Sequence, residues 1–262
     1  MLEIQNLSRT FFPGTVNERK ALRNINLKLN NGDFVTVIGS NGAGKSTLLN
    51  MIGGRLRPDT GKVGINGKDV TKIKEHKRAL WVARVFQDPM AGTAPELTIE
   101  ENLSVAVSRV RSRGLQRAVS HKDRAQFRSA LETLELGLEN RMKTPVGLLS
   151  GGQRQALSLL MATMTHPQIL LLDEHTAALD PQRAALVSRL TGEIVERDQL
   201  TTLMVTHNME QAIQLGNRLI MMHDGQIILE LDGEEKKNAT VSSLLAEFDK
   251  IGGELSDRSL LA

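Results

Sequence analysis

One short stretch constrains the fold of this chain more than any other. Residues 34–38 form an apolar, mostly β-branched run that predicts a buried parallel strand, and a predicted helix begins close behind it. Between them the spacing G-x-x-x-x-G-K-S matches a phosphate-binding loop, or P-loop. Glycines let backbone N–H groups approach a phosphate, and a helix N-terminus adds partial positive charge there. The residues of this loop are Gly39, Ser40, Asn41, Gly42, Ala43, Gly44, Lys45, Ser46 and Thr47.

The side chains of the loop predict that the phosphate belongs to a nucleoside triphosphate. Lys45 can reach the terminal phosphates, and the Ser46 hydroxyl is suited to ligate Mg²⁺. The alternative is a plain glycine-rich turn between a strand and a helix. The complete pattern in its strand–loop–helix context favours nucleotide binding.

Composition excludes several other classes of protein. The 262 residues are 40% hydrophobic and contain no cysteine, so a large core is available but disulfides and thiolate metal sites are not. No apolar run approaches the length of a membrane span, and the first residues lack the pattern of a signal peptide, so we expect a soluble, cytoplasmic protein. A net charge of +3 and 3% aromatic residues do not favour nucleic-acid binding.

The pattern along the chain predicts an α/β fold with additions to a P-loop core of mainly parallel strands. Alternation in residues 2–7 and 24–29 predicts an N-terminal antiparallel β-subdomain, and residues 62–70 read as a hairpin. Residues 97–148 are charged and helical in pattern, which predicts an inserted helical subdomain. A polar C-terminal tail is predicted for residues 232–262.

A basic segment, residues 109–128, lies within the predicted helical insert. It carries six arginines and a lysine against one acidic residue. Such a segment could meet an anionic membrane surface or an acidic partner, or it could be a solvated helix and loop.

Two carboxylates follow a second apolar run. Residues 169–172 are all apolar, and Asp173 and Glu174 come directly after them. A buried strand ending in Asp presents its carboxylate at the edge of the sheet where α/β proteins bind ligands. Asp173 is therefore predicted to partner Mg²⁺ opposite Ser46, and Glu174 to orient or deprotonate the attacking water. A strand followed by a helix cap is the structural alternative.

A third motif, residues 149–155, identifies the family. Ser150 is suited to cap a helix, and Gly151 and Gly152 expose backbone N–H groups at its start, which makes a second anion site that one bound nucleotide does not require. With the P-loop and the paired carboxylates in this order, the chain resembles ABC-type ATPases, the nucleotide-binding subunits of ABC transporters. The resemblance covers residues 2–231, the predicted ABC ATPase domain.

The resemblance implies a role for the second anion site. In the family, the serine and glycines of this motif contact the γ-phosphate bound by the P-loop of another subunit. It therefore implies a head-to-tail homodimer with two ATP molecules at the interface. The residues that it assigns to the partner's nucleotide are Ser150, Gly151, Gly152 and Gln153.

The resemblance also assigns roles to residues whose chemistry alone would not identify them. Gln87 matches the glutamine that ligates Mg²⁺ and senses the membrane partner, and His207 matches the histidine that holds the γ-phosphate and the water. Phe11 matches the adenine-stacking position, with Phe12 as the alternative. The loop at residues 176–180 matches the one that crosses to the other subunit. The chain departs from the usual pattern at His175 and Ala177, and it contains no tyrosine.

The implied function is ATP hydrolysis coupled to transport, with Lys45, Glu174 and His207 as the catalytic residues. We expect two copies to sit on the inner face of the cell membrane, docked on a separate integral membrane permease. Residues 12–18 and 86–90 resemble bacterial ATPases paired with an extracytoplasmic solute-binding protein, so import of a small organic solute such as an amino acid is expected. The alternatives are an exporter ATPase, or a non-transport ABC ATPase acting on DNA or ribosomes, which usually has tandem ATPase domains, coiled coils or metal modules.

Overall fold

The computed structural model describes residues 1–110 and 119–250, and its N-terminal strands form an antiparallel sheet. The sheet has the strand order β2-β1-β4-β5. Alternate residues of the first strand, including Leu2 and Ile4, are buried on one face, as the sequence alternation predicts. The strands are β1 (Leu2–Phe11), β2 (Arg19–Leu29), β4 (Thr60–Ile65) and β5 (Lys68–Asp69).

The second sheet carries the P-loop. Its order is β10-β9-β3-β8-β7-β6, and every neighbouring pair is parallel except β9 with β10. All six residues of β3 are buried because helices and the first sheet cover both faces. The strands are β3 (Phe34–Gly39), β6 (Val82–Val85), β7 (Ile169–Asp173), β8 (Thr202–Val205), β9 (Arg218–His223) and β10 (Gln226–Asp232).

The helices follow the strands or fill the predicted insert. Three begin at capping boxes, with Thr98, Ser120 and Ser150 as the capping residues. None in the described ranges is long and apolar enough to cross a membrane. The helices are α1 (Lys45–Gly53), α2 (Glu75–Arg78), α3 (Ile99–Val107), α4 (His121–Glu132), α5 (Gly151–Thr163), α6 (Pro181–Arg197), α7 (Met209–Gln214), α8 (Gly233–Lys237) and α9 (Val241–Lys250).

The core is divided between the two sides of the larger sheet. On one side, α1 packs between the two sheets around Leu48 and Leu49. On the other side, α3 and α4 share a continuous apolar cluster with α5, to which Leu103, Phe127 and Leu157 belong. The predicted fold class, a mainly parallel P-loop core with an antiparallel sheet and added helices, is confirmed.

Two segments differ in detail from the sequence interpretation. Residues 79–87 are mostly apolar, a pattern that predicts one strand, but β6 is shorter than this run because α2 and the turn after it occupy the preceding residues. The segment interpreted as a polar tail contains α8 and α9, and α9 buries Leu244 and Phe248 against the sheet. These two apolar residues, four apart on one helix face, are the signal that the polar composition hid. Residues 111–118 of the basic segment lie outside the described residues.

Candidate active site

Three loops meet at the carboxyl edge of the larger sheet. Strand β8 lies between β3 and β7, and Val205 at its end pairs with both Val37 and Asp173. Because the three strands are parallel and in register, the loops that leave them emerge side by side. These loops carry the P-loop, Glu174 and His207.

The P-loop takes a backbone conformation that its glycines permit. Gly42 and Gly44 have φ angles of +83° and +100°, in the region where side chains are strained. A Cβ on Gly44 would overlap the carbonyl oxygen of Ala21, so the loop rests directly on β2. The glycine spacing in the sequence therefore reflects both the turn and its close packing.

Lys45 is held against the loop that it follows. Its side chain is buried, and Nζ donates hydrogen bonds to the carbonyl oxygens of Gly39 at 2.6 Å and Ser40 at 3.0 Å. Ser46 is exposed on the first turn of α1, and Thr47 beside it is half-buried. The ammonium group and the helix N-terminus thus place positive charge at one point.

A cavity opens over this loop and reaches from β1 to Glu174. Phe11 lies in its wall, with the Arg9 guanidinium 5.3 Å from the ring centre, whereas Phe12 is exposed outside it. Arg19 donates a hydrogen bond to the Gly42 carbonyl oxygen at 2.7 Å. The lining residues are Phe11, Arg19, Ala21, Asn41, Gly42, Ala43, Gly44, Lys45, Ser46, Thr47 and Glu174.

Glu174 and His207 form a close pair at the edge of this cavity. The distance from His207 Nε2 to Glu174 Oε1 is 2.6 Å. Burial by itself would raise the pKa of Glu174, but the hydrogen bond and positive charge of His207, together with the charge of Lys45, hold this pKa below its usual value. Glu174 also has a φ of +49°, an uncommon conformation for a side-chain-bearing residue. The strained backbone and the close partner both mark this residue as a functional candidate.

Asp173 has a partner that the sequence interpretation did not identify. Its Oδ2 atom accepts a hydrogen bond from Arg84 on β6, and Arg84 Nη1 donates to Asn50 Oδ1 at 2.6 Å. The two side chains of the ion pair are 12% and 15% exposed, so the pair is largely shielded from water. In the sequence, an arginine within the apolar run of β6 could have indicated this partner.

Gln87 follows β6 at the same edge of the sheet and is exposed. The carbonyl oxygen of Phe86, the residue before it, accepts a hydrogen bond from Gln155 Nε2 at 3.2 Å. Gln155 is fully buried on α5, and its Oε1 atom is buried without a hydrogen-bond partner in the described part of the chain. Gln155 thus connects α5 to the segment that carries Gln87, a link that the sequence did not predict.

The predicted second anion site stands apart from the cavity. Ser150 Oγ accepts from the Gln153 backbone N–H at 3.3 Å, and Gln153 Oε1 accepts from the Ser150 N–H at 3.1 Å. Gly152 is buried, and a Cβ there would lie 3.0 Å from Arg183 Cβ. None of Ser150, Gly151, Gly152 and Gln153 belongs to the cavity lining given above.

Comparison with known proteins decides the family. Residues 22–177, more than half of the chain, match the family model described as ABC transporter. The chain belongs to the ABC transporter family. A tyrosine transport ATP-binding protein of Clostridioides difficile is 44% identical over 250 residues, covering 95% of this chain and 99% of that protein. A putative hemin import ATP-binding protein of Staphylococcus haemolyticus is 33% identical, covering 87% and 99%.

Solved structures of ABC cassettes share the fold. A dimeric ATP-binding cassette in a post-hydrolysis state, bound to ADP and Pi, superposes with a TM-score of 0.75 at 30% identity, covering 88% of this chain and 98% of that one. A nucleotide-free cassette gives a TM-score of 0.78 at 26% identity, with 98% and 99% covered. The chain is an ATP-binding subunit of the ABC transporter type, and its activity is ATP hydrolysis.

Proposed function

We propose that this ABC ATPase hydrolyses ATP at the Glu174–His207 pair and drives import of a small organic solute through a separate membrane permease. The 2.6 Å contact between Glu174 and His207, at the edge of the P-loop cavity, is the observation that carries the proposal. This contact places a general base and a histidine where the γ-phosphate of a nucleotide bound by the P-loop would lie. The peripheral position on the cytoplasmic face of the membrane is part of the same proposal.

Phosphoryl transfer requires groups that stabilise the phosphate charge and groups that activate the attacking water, and the chain supplies both. Lys45 and the backbone N–H groups of residues 42–46 stabilise negative charge on the phosphates. Glu174, whose pKa is held below its usual value, is ionised at neutral pH and can accept a hydrogen bond from the attacking water. His207 holds Glu174 through their 2.6 Å contact and would help to fix the water beside that carboxylate.

The proposed nucleotide and metal fit the residues that are present. Phe11 lines the same cavity as the P-loop, and its ring would stack on the adenine ring there. Ser46, Gln87 and Asp173 would hold Mg²⁺ through hydroxyl, amide and carboxylate oxygens, the donors that this ion prefers. Arg84 donates a hydrogen bond to the Oδ2 atom of Asp173, and the Oδ1 atom of the same carboxylate would ligate the ion. Bound Mg²⁺ would neutralise charge on the phosphates.

A head-to-tail homodimer is the proposed active form. The motif at Ser150, Gly151, Gly152 and Gln153 presents helix N–H groups and a hydroxyl outside the chain's own cavity, so a second copy is needed to bring them to a nucleotide. One of the similar cassettes was solved as a dimer bound to ADP and Pi, which supports this arrangement. Hydrolysis would then depend on closure of two subunits.

An amino acid is the proposed solute, taken up with the help of an extracytoplasmic solute-binding protein. The support is the relative described as a tyrosine transport ATP-binding protein, which matches along nearly its whole length. The sequences at residues 12–18 and 86–90 point to the same group of importers.

Replacing Glu174 by Gln tests the catalytic part. We expect ATP affinity to stay within about twofold and steady-state turnover to fall by at least about a hundredfold, because the amide cannot accept the proton of the water. Glu210→Gln is the matched control: it removes an equal charge at an exposed position just beyond His207. Wild-type turnover in Glu174→Gln would refute the assigned base.

Capture of tagged Glu174→Gln protein from solubilised membranes, with ATP and Mg²⁺ present, tests the transport part. We expect an integral membrane protein in stoichiometric amount and a solute-binding protein with it. Uptake of labelled tyrosine and of other labelled amino acids is then compared between cells carrying wild-type and Glu174→Gln chains. Recovery of ribosomal proteins or nucleic acid without a permease would leave the ATPase assignment intact and overturn the transport proposal.

A further inference from the structure

Gln211, on the helix that follows His207, uses its whole side-chain amide in hydrogen bonds to other parts of the site. Its Oε1 atom accepts from the Thr206 hydroxyl at 2.6 Å. Its Nε2 atom donates to Ser188 Oγ at 2.6 Å and to Thr176 Oγ1 at 3.2 Å. The amide is half-buried among these three hydroxyls, so each contact is partly shielded from water.

The partners of Gln211 are chain neighbours of the catalytic pair. Thr206 immediately precedes His207, and Thr176 lies two residues after Glu174. Ser188 belongs to α6, which is anchored in the core through Val187 and Leu190. One side chain therefore connects the loop of the histidine, the loop of the carboxylate and a rigid helix.

The backbone of Gln211 is fixed as well. Asn208 caps the helix by accepting from the Gln211 N–H at 2.8 Å, and the Asn208 N–H donates to Thr206 Oγ1 at 3.1 Å. The amide thus has little freedom to leave its partners. A fixed amide between two loops holds them at one separation.

We infer that Gln211 is a positioning residue, which holds Glu174 and His207 at their 2.6 Å separation. The inference rests on the proposed function of that pair. An amide suits the task because one end accepts while the other donates twice. A carboxylate in its place can accept from all three hydroxyls once those of Ser188 and Thr176 rotate, whereas a thioether of similar length can hold none of them.

The test compares Gln211→Met with Gln211→Glu. In Gln211→Met we expect kcat to fall by at least about tenfold while the Kd for ATP stays within about twofold, since no P-loop contact is lost. In Gln211→Glu we expect kcat within about threefold of wild type. Gln214→Met is the matched control, because it changes the same residue type at an exposed position of the same helix, and it should leave kcat unchanged.

A spectroscopic measurement separates positioning from a general loss of structure. In protein labelled with ¹⁵N histidine, we expect the Nε2 resonance of His207 to shift in Gln211→Met and to return in Gln211→Glu. Should Gln211→Met fail to fold, Ser188→Ala removes one anchor from a helix that tolerates alanine, with a smaller loss of kcat expected and the same resonance moving. An unchanged kcat, or an unmoved His207 resonance beside a lowered kcat, would overturn the inference.

Measuring Glu174→Gln beside these variants distinguishes a failure of the positioning role from a failure of the proposed function. If Glu174→Gln stops turnover while Gln211→Met does not change it, the positioning role alone is wrong. If Glu174→Gln keeps wild-type turnover, the proposed function of the pair is wrong, whatever Gln211 does.

Discussion

The N-termini of α1 and α5 are two solutions to the same problem, the unpaired N–H groups at the start of a helix. α1 begins after Gly44, which has no side chain to cap those groups, whereas α5 begins after Ser150, whose hydroxyl oxygen and Gln153 form a reciprocal capping box. The first start lies in a cavity lined by Lys45 and the second lies outside it. The uncapped N–H groups at the start of α1 are therefore left for a ligand to accept from.

In the proposed function, the capped start of α5 also binds an anion, but with fewer donors. Ser150 Oγ accepts from the Gln153 N–H, so the hydroxyl proton remains the group that it can give to a phosphate. Such a site contributes a few donors and no lysine. In the proposed function, this difference would let one chain hold the nucleotide by the P-loop alone, while the motif at Ser150 would act when a second subunit presents it.

Gly44→Ala should produce the largest effect on stability and on ATP binding, because it adds a side chain at the uncapped start of α1. The new Cβ would overlap the Ala21 carbonyl oxygen at a φ of +100°, so we expect the free energy of unfolding to fall by about 2–4 kcal/mol and ATP binding to be lost. Denaturant unfolding and ATP titration measure the two effects. Gly137→Ala is the control: its φ is +68° but no atom lies within 4 Å of the added Cβ, so only about 1 kcal/mol should be lost and ATP should bind normally.

Ser150→Ala should separate stability from turnover at the capped start. Loss of the cap should lower the free energy of unfolding by about 1 kcal/mol, with the ATP affinity of the single chain unchanged and turnover reduced by at least about tenfold. Ser120→Ala removes a capping box of the same kind from α4 and should cost as much stability without affecting turnover. Equal turnover losses in both variants would show that Ser150 affects turnover only through the stability of its helix.

Phe11→Ala should weaken nucleotide binding in the cavity over the P-loop. Stacking of a base on an aromatic ring contributes about 1–3 kcal/mol, so we expect ATP affinity to fall by about tenfold. Phe12→Ala, at a side chain that is 66% exposed and outside the cavity, should leave the affinity unchanged. A titration with a fluorescent ATP analogue distinguishes the two residues, and a larger effect from Phe12 would reverse the assignment.

Arg19→Ala should give the smallest change. Arg19 lies over the P-loop and is exposed, so its charge should contribute about threefold to ATP affinity at low salt and less at high salt. Lys20→Ala removes an equal charge from the next residue, which does not line the cavity. Salt-dependent titrations of both variants measure the difference, and an equal response would show that the charge acts only at long range.

The parts of the molecule that the sequence predicted are those specified by local pattern. The P-loop, the strand that ends in Asp173 and the cap at Ser150 each depend on residues within a few positions of one another. The family resemblance then supplied His207, whose position beside Glu174 could not follow from spacing alone.

The features that the sequence did not predict depend on contacts between distant residues. Arg84 and Asp173 are 89 positions apart, and Gln211 meets Thr176 across 35 positions. His175 was noted only as a departure from the family pattern; in the fold it is buried, its Nε2 lies 2.9 Å from Thr191 Oγ1, and burial lowers its pKa to about 4. Each of these side chains is polar and shielded by elements far along the chain, which composition and periodicity cannot show.

Lys236 sets a limit on where this protein can be shortened. Its buried ammonium group donates to the carbonyl oxygens of Leu215, Gly216 and Arg218, just where α7 ends and β9 begins. A chain cut after β10 would leave those carbonyls without their donor and would also uncover the apolar residues that α9 shields. Deletions that spare the catalytic residues would therefore still weaken the molecule if they removed α8 and α9.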